Sequence, residues 1–263
     1  MPSLEPNALR RKLGQGKLVV GSVVYSWSAA IMDQAGTAGL DFVRIDSEHA
    51  WRRDGAMEDM VRTALANRVA PVVRVDRDDP YLVRKALEIG AAGVLVPDVR
   101  SVAEAEAVVR AAKFPPRGTR GYGSICVAGG WGVLSGPDWV RWSDTEPMIG
   151  GMIESVEAIE AIDAIMAVDG FDFVLFGPSD YSMSLGARTS LSITEPRVLK
   201  AIARTCAVAR KAGKHVMLGL SSDAATLKTF VDAGVTMLEI GNDLAAVRSA
   251  WAGAVKAAAG FGR

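Results

Sequence analysis

Short apolar runs alternate with longer, helix-like stretches along the whole chain. The runs lack the polar alternation of a half-exposed strand and are rich in Val, Ile and Leu, which is typical of parallel strands covered on both faces. Eight such runs occur, at 18–24, 42–45, 71–75, 94–96, 148–153, 173–176, 216–220 and 237–240. We therefore predict eight buried, parallel strands.

The stretches between these runs carry the signals of helix starts and helix ends. Ser101 and Glu104 have the spacing of a capping box and open a predicted helix that runs to Lys113. Predicted helices at 195–212 and 224–233 are each followed by glycine, which often ends a helix. Strand and helix thus alternate without a break in composition, which predicts one (β/α)8 TIM barrel over 1–263. A doubly wound parallel sheet is the alternative.

Two parts of the chain fall outside this alternation. Residues 1–17 form a lead-in before the first predicted strand. Residues 114–147 form a long stretch rich in Gly, Pro and Trp between the fourth and fifth strands. Because long loops in compact domains are usually functional, we predict that 114–147 is an active-site loop region.

Charge and composition exclude several classes of protein. The 263 residues include 30 Lys and Arg against 30 Asp and Glu, so the chain lacks the positive excess of a nucleic-acid-binding domain. No apolar stretch reaches the roughly 18 residues of a membrane span, and 1–17 contain no signal-peptide core. Two cysteines, Cys126 and Cys206, exclude a disulfide scaffold. We expect a soluble, cytoplasmic protein with no nucleic-acid or membrane partner.

The active site of a (β/α)8 barrel lies at the carboxyl ends of its strands, so polar residues there are the first candidates. The chain places these polar residues at the strand ends: Asp46 and His49 after the second strand, Arg74, Asp76, Asp78 and Asp79 at the third, Glu154 at the fifth, and Ser179 and Asp180 after the sixth. Closure of the barrel brings such residues within about a nanometre of one another.

The residue types at this rim indicate a specific chemistry. Glu154 and Asp180 offer the hard oxygen ligands that Mg²⁺ and Mn²⁺ prefer. Arg74 suits a carboxylate or a developing enolate oxygen, and His49 suits proton transfer near neutral pH. Each residue alone also fits a helix cap, an ion pair or a loop position. Their conjunction at one rim favours carbanion chemistry next to a carbonyl group.

A series of short motifs follows one order along 21–248. The motifs are DFVRIDSEHA at 41–50, PVVR at 71–74, LVP at 95–97, FPPRGTRG at 114–121, IES at 153–155, GPSD at 177–180 and the segment 235–243 that ends in GND. Any one of them is weak evidence. The ordered set resembles the metal-dependent pyruvate aldolases of the HpcH/HpaI family, which include aldolases for 4-hydroxy-2-oxoheptanedioate and 2-keto-3-deoxy sugar acids.

The resemblance implies roles for the rim residues. Glu154 and Asp180 would bind the divalent ion, and Arg74 would stabilise the enolate. The backbone amides of Ser179 and Asp180 would hold the substrate carboxylate, and His49 would be the base. The family fold is a (β/α)8 barrel whose last helix is exchanged between subunits, commonly in a hexamer built as a trimer of dimers.

Two carboxylates are expected to act on His49. Asp46 is predicted to orient it. The family also has an acidic residue in the helix after the third strand that tunes this histidine, and the matching residue here is Glu88, a glutamate where relatives have aspartate.

Two departures from the family pattern bear on the substrate. Met152 occupies a position, two residues before Glu154, where the family often has a glutamine that contacts the substrate. A thioether cannot donate that hydrogen bond. The segment after Gly123 lacks an arginine that many relatives carry, which predicts a less cationic pocket for the far end of the acceptor.

The resemblance implies a divalent-metal-dependent carbon–carbon lyase. It would reversibly cleave a 4-hydroxy-2-oxoacid to an aldehyde and pyruvate, or a related 2-oxoacid such as hydroxypyruvate, through an enolate. Mg²⁺ or Mn²⁺ is the expected ion, with Co²⁺, Zn²⁺ or Ni²⁺ as further choices. Two alternatives stay open: an oxaloacetate decarboxylase or condensing enzyme that uses the same enolate, and a non-catalytic barrel that binds a 2-oxoacid.

Overall fold

The computed structural model describes residues 6–50, 54–77, 79–219 and 223–261. The strands are β1 (Val19–Val24), β2 (Phe42–Asp46), β3 (Ala70–Arg74), β4 (Gly93–Val96), β5 (Met148–Ile153), β6 (Phe173–Phe176), β7 (His215–Gly219) and β8 (Met237–Asn242). The helices are α1 (Ala8–Gly14), α2 (Ala29–Thr37), α3 (Asp54–Ala66), α4 (Pro80–Glu88), α5 (Val102–Ala112), α6 (Gly136–Thr145), α7 (Val156–Glu160), α8 (Ile162–Ala167), α9 (Pro178–Ser184), α10 (Pro196–Lys211), α11 (Ala224–Ala233) and α12 (Asp243–Ala258). Asp78 and Leu220, named in the sequence predictions, lie outside the described residues.

The strands close into a barrel in which every neighbouring pair is parallel and β8 pairs with β1. The predicted (β/α)8 barrel is therefore confirmed, with small shifts at the strand ends. The β1–β2 register is regular through the pair Val24 and Ile45. At the closing seam with β8, the register of β1 shifts between Gly21 and Val23.

Alternate strand positions point into the barrel and form an apolar inner core. Leu9 and Leu13 of α1 pack against the end of this core where the strands begin. Gly150 makes room for an aromatic neighbour, because a Cβ there would lie 2.6 Å from the Phe173 ring. The inner core fills the lower barrel, so chemistry is left to the carboxyl ends of the strands.

The outward-facing strand positions pack against the surrounding helices. Helix α12 differs from the others because it buries no apolar residue: Asp243 is its one buried residue, whereas Trp251 is 71% exposed and Leu244 and Val255 are also exposed. It thus presents apolar side chains that the described part of the chain leaves uncovered. Among the described residues, no helix is both long enough and apolar enough to cross a membrane.

The stretch 114–147 contains helix α6, which the sequence pattern did not predict. Trp139 stacks on Trp142 with 5.4 Å between ring centroids, and the buried Arg120 guanidinium lies 4.8 Å from the centre of the Phe114 ring. The stretch joins the end of α5 to the start of β5. Both of its ends therefore lie opposite the catalytic rim, and its role as an active-site loop stays a prediction.

Candidate active site

Strand alternation places charged side chains inside the barrel, above the apolar core. Arg44 and Asp46 lie on β2, Arg74 lies on β3 in register with Asp46, and Glu239 lies on β8. Glu154 follows the last residue of β5. All five are buried. The barrel mouth therefore gathers two arginines and three carboxylates.

Arg74 is fixed by two carboxylates and one thioether. Its Nη2 donates to Asp46 Oδ2, and its Nη1 lies 2.7 Å from Glu48 Oε2 and 3.6 Å from Met152 Sδ. Its Nε is buried and has no hydrogen-bond partner among the described residues. The guanidinium is thus held in place, and one of its buried N–H groups has no partner among the described residues.

A second ion pair lies beside this one, and the sequence analysis missed it. Arg44 Nε donates to Glu239 Oε1 at 2.6 Å, and Arg44 Nη1 donates to Asp46 Oδ2 at 3.3 Å. The available signal was a charged residue inside each of two apolar runs, 42–45 and 237–240. Opposite charges at inward-facing positions of neighbouring parts of a barrel indicate a buried pair. Arg44 and Arg74 thus both donate to Asp46 Oδ2.

Glu154 is only 8% exposed, and its Oε1 accepts a hydrogen bond from the Asp98 N–H at 2.7 Å. A Cβ at Gly177 would lie 2.6 Å from Glu154 Oε2, so the carboxylate fits because residue 177 has no side chain. Burial raises the pKa of Glu154 to about 7; the Asp98 hydrogen bond opposes this rise, and the charges of Asp180 and Glu48 add to it. The site therefore resists a negative charge that no cation balances.

The loop between β4 and α5 supplies that hydrogen bond, which residue type alone could not reveal. Asp98 has a left-handed backbone with φ of 53°, a conformation that aspartate tolerates better than most residues. Its carboxylate pairs with Arg77 and accepts from Arg100 Nε at 2.7 Å. Two exposed arginines thus anchor the residue whose main chain binds Glu154.

Ser179 and Asp180 lie in the first turn of α9. Backbone N–H groups there have no partner within the helix, so they are free to bind an anion. Ser179 Oγ lies 3.2 Å from Ser190 Oγ of the following loop. Asp180 is exposed, and its charge contributes to the raised pKa of Glu154. The structure therefore brings the two predicted metal-binding carboxylates to one side of the rim.

His49 lies on the rim with its side chain 63% exposed, and its Nε2 is 4.0 Å from Glu48 Oε2. Asp46 Oδ1 accepts from the His49 backbone N–H at 2.9 Å and from the Glu48 N–H at 3.1 Å. Asp46 thus binds the main chain next to and at His49, and its predicted role in orienting His49 stays a prediction.

Glu88 lies on the last turn of α4 and pairs with Arg84 at 3.5 Å. Its carbonyl accepts from the Ala128 N–H at 2.9 Å, and the residue lines a cavity of about 320 Å³ that Ser47 also borders. No contact joins Glu88 and His49 among the residues that the structure describes. The influence of Glu88 on His49 stays a prediction.

The donor set for a metal is small. In the described parts of the chain, no group of three or more His, Cys, Asp or Glu side chains is arranged to hold an ion. Glu154 and Asp180 offer two carboxylates, which leave coordination positions for water and substrate, as Mg²⁺ and Mn²⁺ sites do. A cation would also offset the burial of the Glu154 charge. These residues therefore fit a weakly held divalent ion.

Comparison with known proteins identifies the family. The model of the HpcH/HpaI aldolase/citrate lyase family matches residues 22–250. The chain is 33% identical to the hydroxypyruvate/pyruvate aldolase of Paraburkholderia phytofirmans over 242 residues, which cover 92% of this chain and 89% of that relative.

Solved structures agree with this assignment. The HpcH/HpaI aldolase from Desulfitobacterium hafniense superposes with a TM-score of 0.86 at 33% identity, covering 95% of each chain. The citrate synthase SbnG also gives 0.86, at 25% identity, covering 97% of this chain and 99% of that one. The chain therefore belongs to the HpcH/HpaI aldolase/citrate lyase family, which confirms the resemblance, and it is a carbon–carbon lyase of the 2-oxoacid aldolase type.

Proposed function

We propose that the protein is a divalent-metal-dependent aldolase that reversibly cleaves a 4-hydroxy-2-oxoacid to an aldehyde and pyruvate, or a related 2-oxoacid such as hydroxypyruvate. The observation that carries the proposal is the arrangement of the mouth: Glu154 and Asp180 on one side, and Arg74 with an unpartnered buried N–H beside them. The two carboxylates suit a cation, and the arginine suits the enolate anion that forms from the substrate.

Glu154 and Asp180 would hold Mg²⁺ or Mn²⁺, which would draw electron density from the keto group of the oxoacid and so favour the enolate. The other roles belong to the chain itself. Arg74, fixed by Asp46 and Glu48, stabilises negative charge on the enolate oxygen through its guanidinium. The amides at Ser179 and Asp180 bind the oxoacid carboxylate.

His49 is the base in this proposal. In the cleavage direction it removes the proton of the C4 hydroxyl, the C3–C4 bond breaks, and the aldehyde leaves. Its exposed position on the rim lets it exchange that proton with water. Met152 forms the wall next to Arg74 where relatives often have a glutamine that contacts the substrate.

The test is the loss of the pyruvate methyl proton signal in deuterated buffer, followed by NMR with Mn²⁺ or Mg²⁺ and with EDTA as a control. We expect metal-dependent exchange that Glu154→Ala and Asp180→Ala abolish. Glu160→Ala, at an exposed position of α7, is the matched control and should exchange like the wild type. Exchange that is equal with EDTA, or that survives both substitutions, contradicts the metal assignment.

A second use of the enolate has support from the likeness to citrate synthase SbnG. The same groups would serve an enzyme that decarboxylates oxaloacetate or condenses it with another partner. Relative turnover of oxaloacetate and of 4-hydroxy-2-oxoacids decides between the two reactions. The non-catalytic alternative does not agree with membership of a family of named lyases.

We also propose that α12 packs on a neighbouring subunit, in the hexamer that the resemblance implies. Its apolar side chains are exposed, and Leu18, just before β1, and Val231, on α11, are exposed as well. If α12 were exchanged between subunits, both its own apolar side chains and these two exposed residues would be covered. Light scattering of the wild type and of Trp251→Asp tests this: we expect an oligomer that the aspartate dissociates, and a monomeric wild type contradicts it.

A further inference from the structure

Tyr25 directly follows β1, and the proposed function gives it no role. Within β1, Val19 belongs to the inner core and Val24 to the outer one. Odd-numbered positions therefore face the barrel interior, and this alternation directs Tyr25 inward. Because Val24 pairs with Ile45, Tyr25 is level with Asp46 on β2. The phenol thus enters the mouth next to the Asp46 carboxylate.

The backbone at Tyr25 is fixed from two sides. The buried Asp243 accepts hydrogen bonds from the Tyr25 N–H at 3.0 Å and from the Ser26 N–H at 2.9 Å. Trp27 Nε1 donates to the Asp46 carbonyl at 2.9 Å. These contacts tie the segment to α12 on one side and to β2 on the other. The direction of the Tyr25 side chain is therefore set by the fold.

The surroundings of the phenol are charged but leave its hydroxyl free. Burial raises the pKa of Tyr25, the positive charges of Arg44 and Arg74 oppose the rise, and Asp46 and Glu239 add to it. The phenol therefore lies near the charged groups of the mouth and keeps its proton at neutral pH. No hydrogen bond to its hydroxyl occurs within the described residues.

The position of Tyr25 in the barrel mouth indicates which substrate its hydroxyl group can contact. In the closed barrel, β1 lies opposite β5, which positions Glu154, while Arg74 on β3 lies between them. An oxoacid held by Glu154, Asp180 and Arg74 would present its reacting carbon towards the β1 side. The second substrate would then lie between the oxoacid and Tyr25.

We propose that Tyr25 is a catalytic residue whose phenolic O–H donates a hydrogen bond to the carbonyl oxygen of the acceptor aldehyde, the oxygen that becomes the C4 hydroxyl. This inference rests on the proposed aldolase function. It assigns enolate formation and carbon–carbon bond formation to different groups of the mouth.

The chemistry needs no net proton transfer through Tyr25. In synthesis, the enolate electron pair forms the C3–C4 bond, the aldehyde C=O pair moves onto oxygen, and that oxygen takes a proton from the protonated base. In cleavage, the proton returns to the base, the C4–O electrons form the C=O bond, and the C3–C4 pair returns to the enolate. A neutral O–H donor stabilises the charge on this oxygen in both directions.

The test separates the two steps in one variant. Tyr25→Phe, which keeps the ring and the Asp243 contacts, is compared with Tyr81→Phe, a tyrosine 69% exposed on α4. With Mn²⁺, we expect Tyr25→Phe to lower bond formation between pyruvate and glycolaldehyde by about thirtyfold, while pyruvate methyl exchange falls by less than about threefold. Tyr81→Phe should change neither rate.

Other outcomes identify which proposal fails. A wild type without any metal-dependent exchange overturns the proposed function and this inference with it. A wild type that exchanges, with a Tyr25→Phe variant that forms the bond at the normal rate, overturns this inference alone, as does an equal loss of both rates. If Tyr25→Phe does not fold, 3-fluorotyrosine at position 25 provides the second measurement: its more acidic O–H should change the rate of bond formation and not that of exchange.

Discussion

The two halves of the barrel mouth differ in what their strands present to the interior. The strands of one half end in buried charged residues: Asp46, Arg74 and Glu154. The strands of the other half have glycine at or next to their carboxyl ends: Gly177, Gly219 and Gly241. The first half thus supplies most of the buried charges of the mouth, and the glycines of the second half leave space beside them, although Glu239 on β8 and Asp180 after β6 also belong to the second half.

Gly177 lets a charged side chain take its position, and Gly219 lets two neighbouring strands approach closely. A Cβ at Gly177 would meet the Glu154 carboxylate, and a Cβ at Gly219 would lie 2.0 Å from the Glu239 carbonyl oxygen. Residues without any functional group thus decide where functional groups can lie. A test of this comparison substitutes residues in both halves and compares the resulting losses of turnover and of metal affinity.

The largest effect is expected at Arg74, in the half of the mouth whose strands end in buried charged residues (the charged half). Arg74→Ala should lower turnover by about a hundredfold or more, a loss of about 3 kcal/mol of enolate stabilisation. Arg74→Lys should recover little, since an ammonium group cannot reproduce the planar contacts to Asp46 and Glu48.

Steady-state kinetics and thermal melting of these variants would be compared with those of Arg62→Ala, an exposed arginine on α3. A loss of less than about threefold for Arg74→Ala contradicts the assigned role. A loss of turnover that is explained entirely by a lower melting temperature also contradicts that role.

The second-largest effect is expected from Gly177→Ala, in the half of the mouth whose strands end in glycine (the glycine half). The added methyl must displace the Glu154 carboxylate, which should weaken Mn²⁺ binding by roughly thirtyfold, or about 2 kcal/mol. Titration calorimetry measures this without turnover. Gly14→Ala, at a position where a Cβ meets nothing within 4 Å, is the control. Unchanged Mn²⁺ affinity would show that the glycine half does not position the ligand.

Much of this arrangement could be predicted from the sequence, because its causes are local. Strands buried on both faces have apolar runs, and the carboxyl ends of parallel strands meet at one rim, so Glu154 and Arg74 were identified correctly as rim residues. Helix α6 was missed because it is short and begins with Gly136 and Pro137 inside a stretch rich in Gly, Pro and Trp, a composition that is typical of a loop.

What could not be predicted depends on distant parts of the chain or on the backbone. The Asp98 N–H reaches Glu154 because of a left-handed φ, which residue type does not fix. The contact of Asp46 with the main-chain N–H of His49 likewise depends on the local backbone, which residue type does not fix. The Arg44–Glu239 pair joins strands far apart in sequence.

The charged half should also respond to pH in a definite direction. The pKa of Glu154 is raised to about 7 in the metal-free fold, so a proton competes with the metal. We expect Mn²⁺ affinity to fall about tenfold per unit below about pH 7 and to level off above it. Calorimetry in buffers of different ionisation enthalpy should show one proton released per ion at about pH 6.

The raised pKa of Glu154 also predicts how the stability of the metal-free protein changes with pH. A raised pKa in the folded state means that the fold binds the extra proton, so this contribution is present at low pH and is lost as the pH rises through about 7. Glu154→Gln should remove that part of the pH dependence. Denaturant unfolding at several pH values measures it, and identical profiles for the two proteins contradict the shift.

The smallest effect is expected at Met152, where the two halves meet. Its sulfur lies 3.6 Å from Arg74 Nη1, so a glutamine there would give Arg74 a stronger acceptor and would bring an amide donor to the substrate. Met152→Gln should keep the fold and change the KM for pyruvate or hydroxypyruvate by about two- to fivefold, with less effect on kcat. Met152→Leu is the matched control, since it removes the sulfur and adds no hydrogen-bonding group. If glutamine and leucine give the same constants for both oxoacids, residue 152 serves only to pack the inner core beneath Arg74, and the choice of oxoacid must be made in the glycine half.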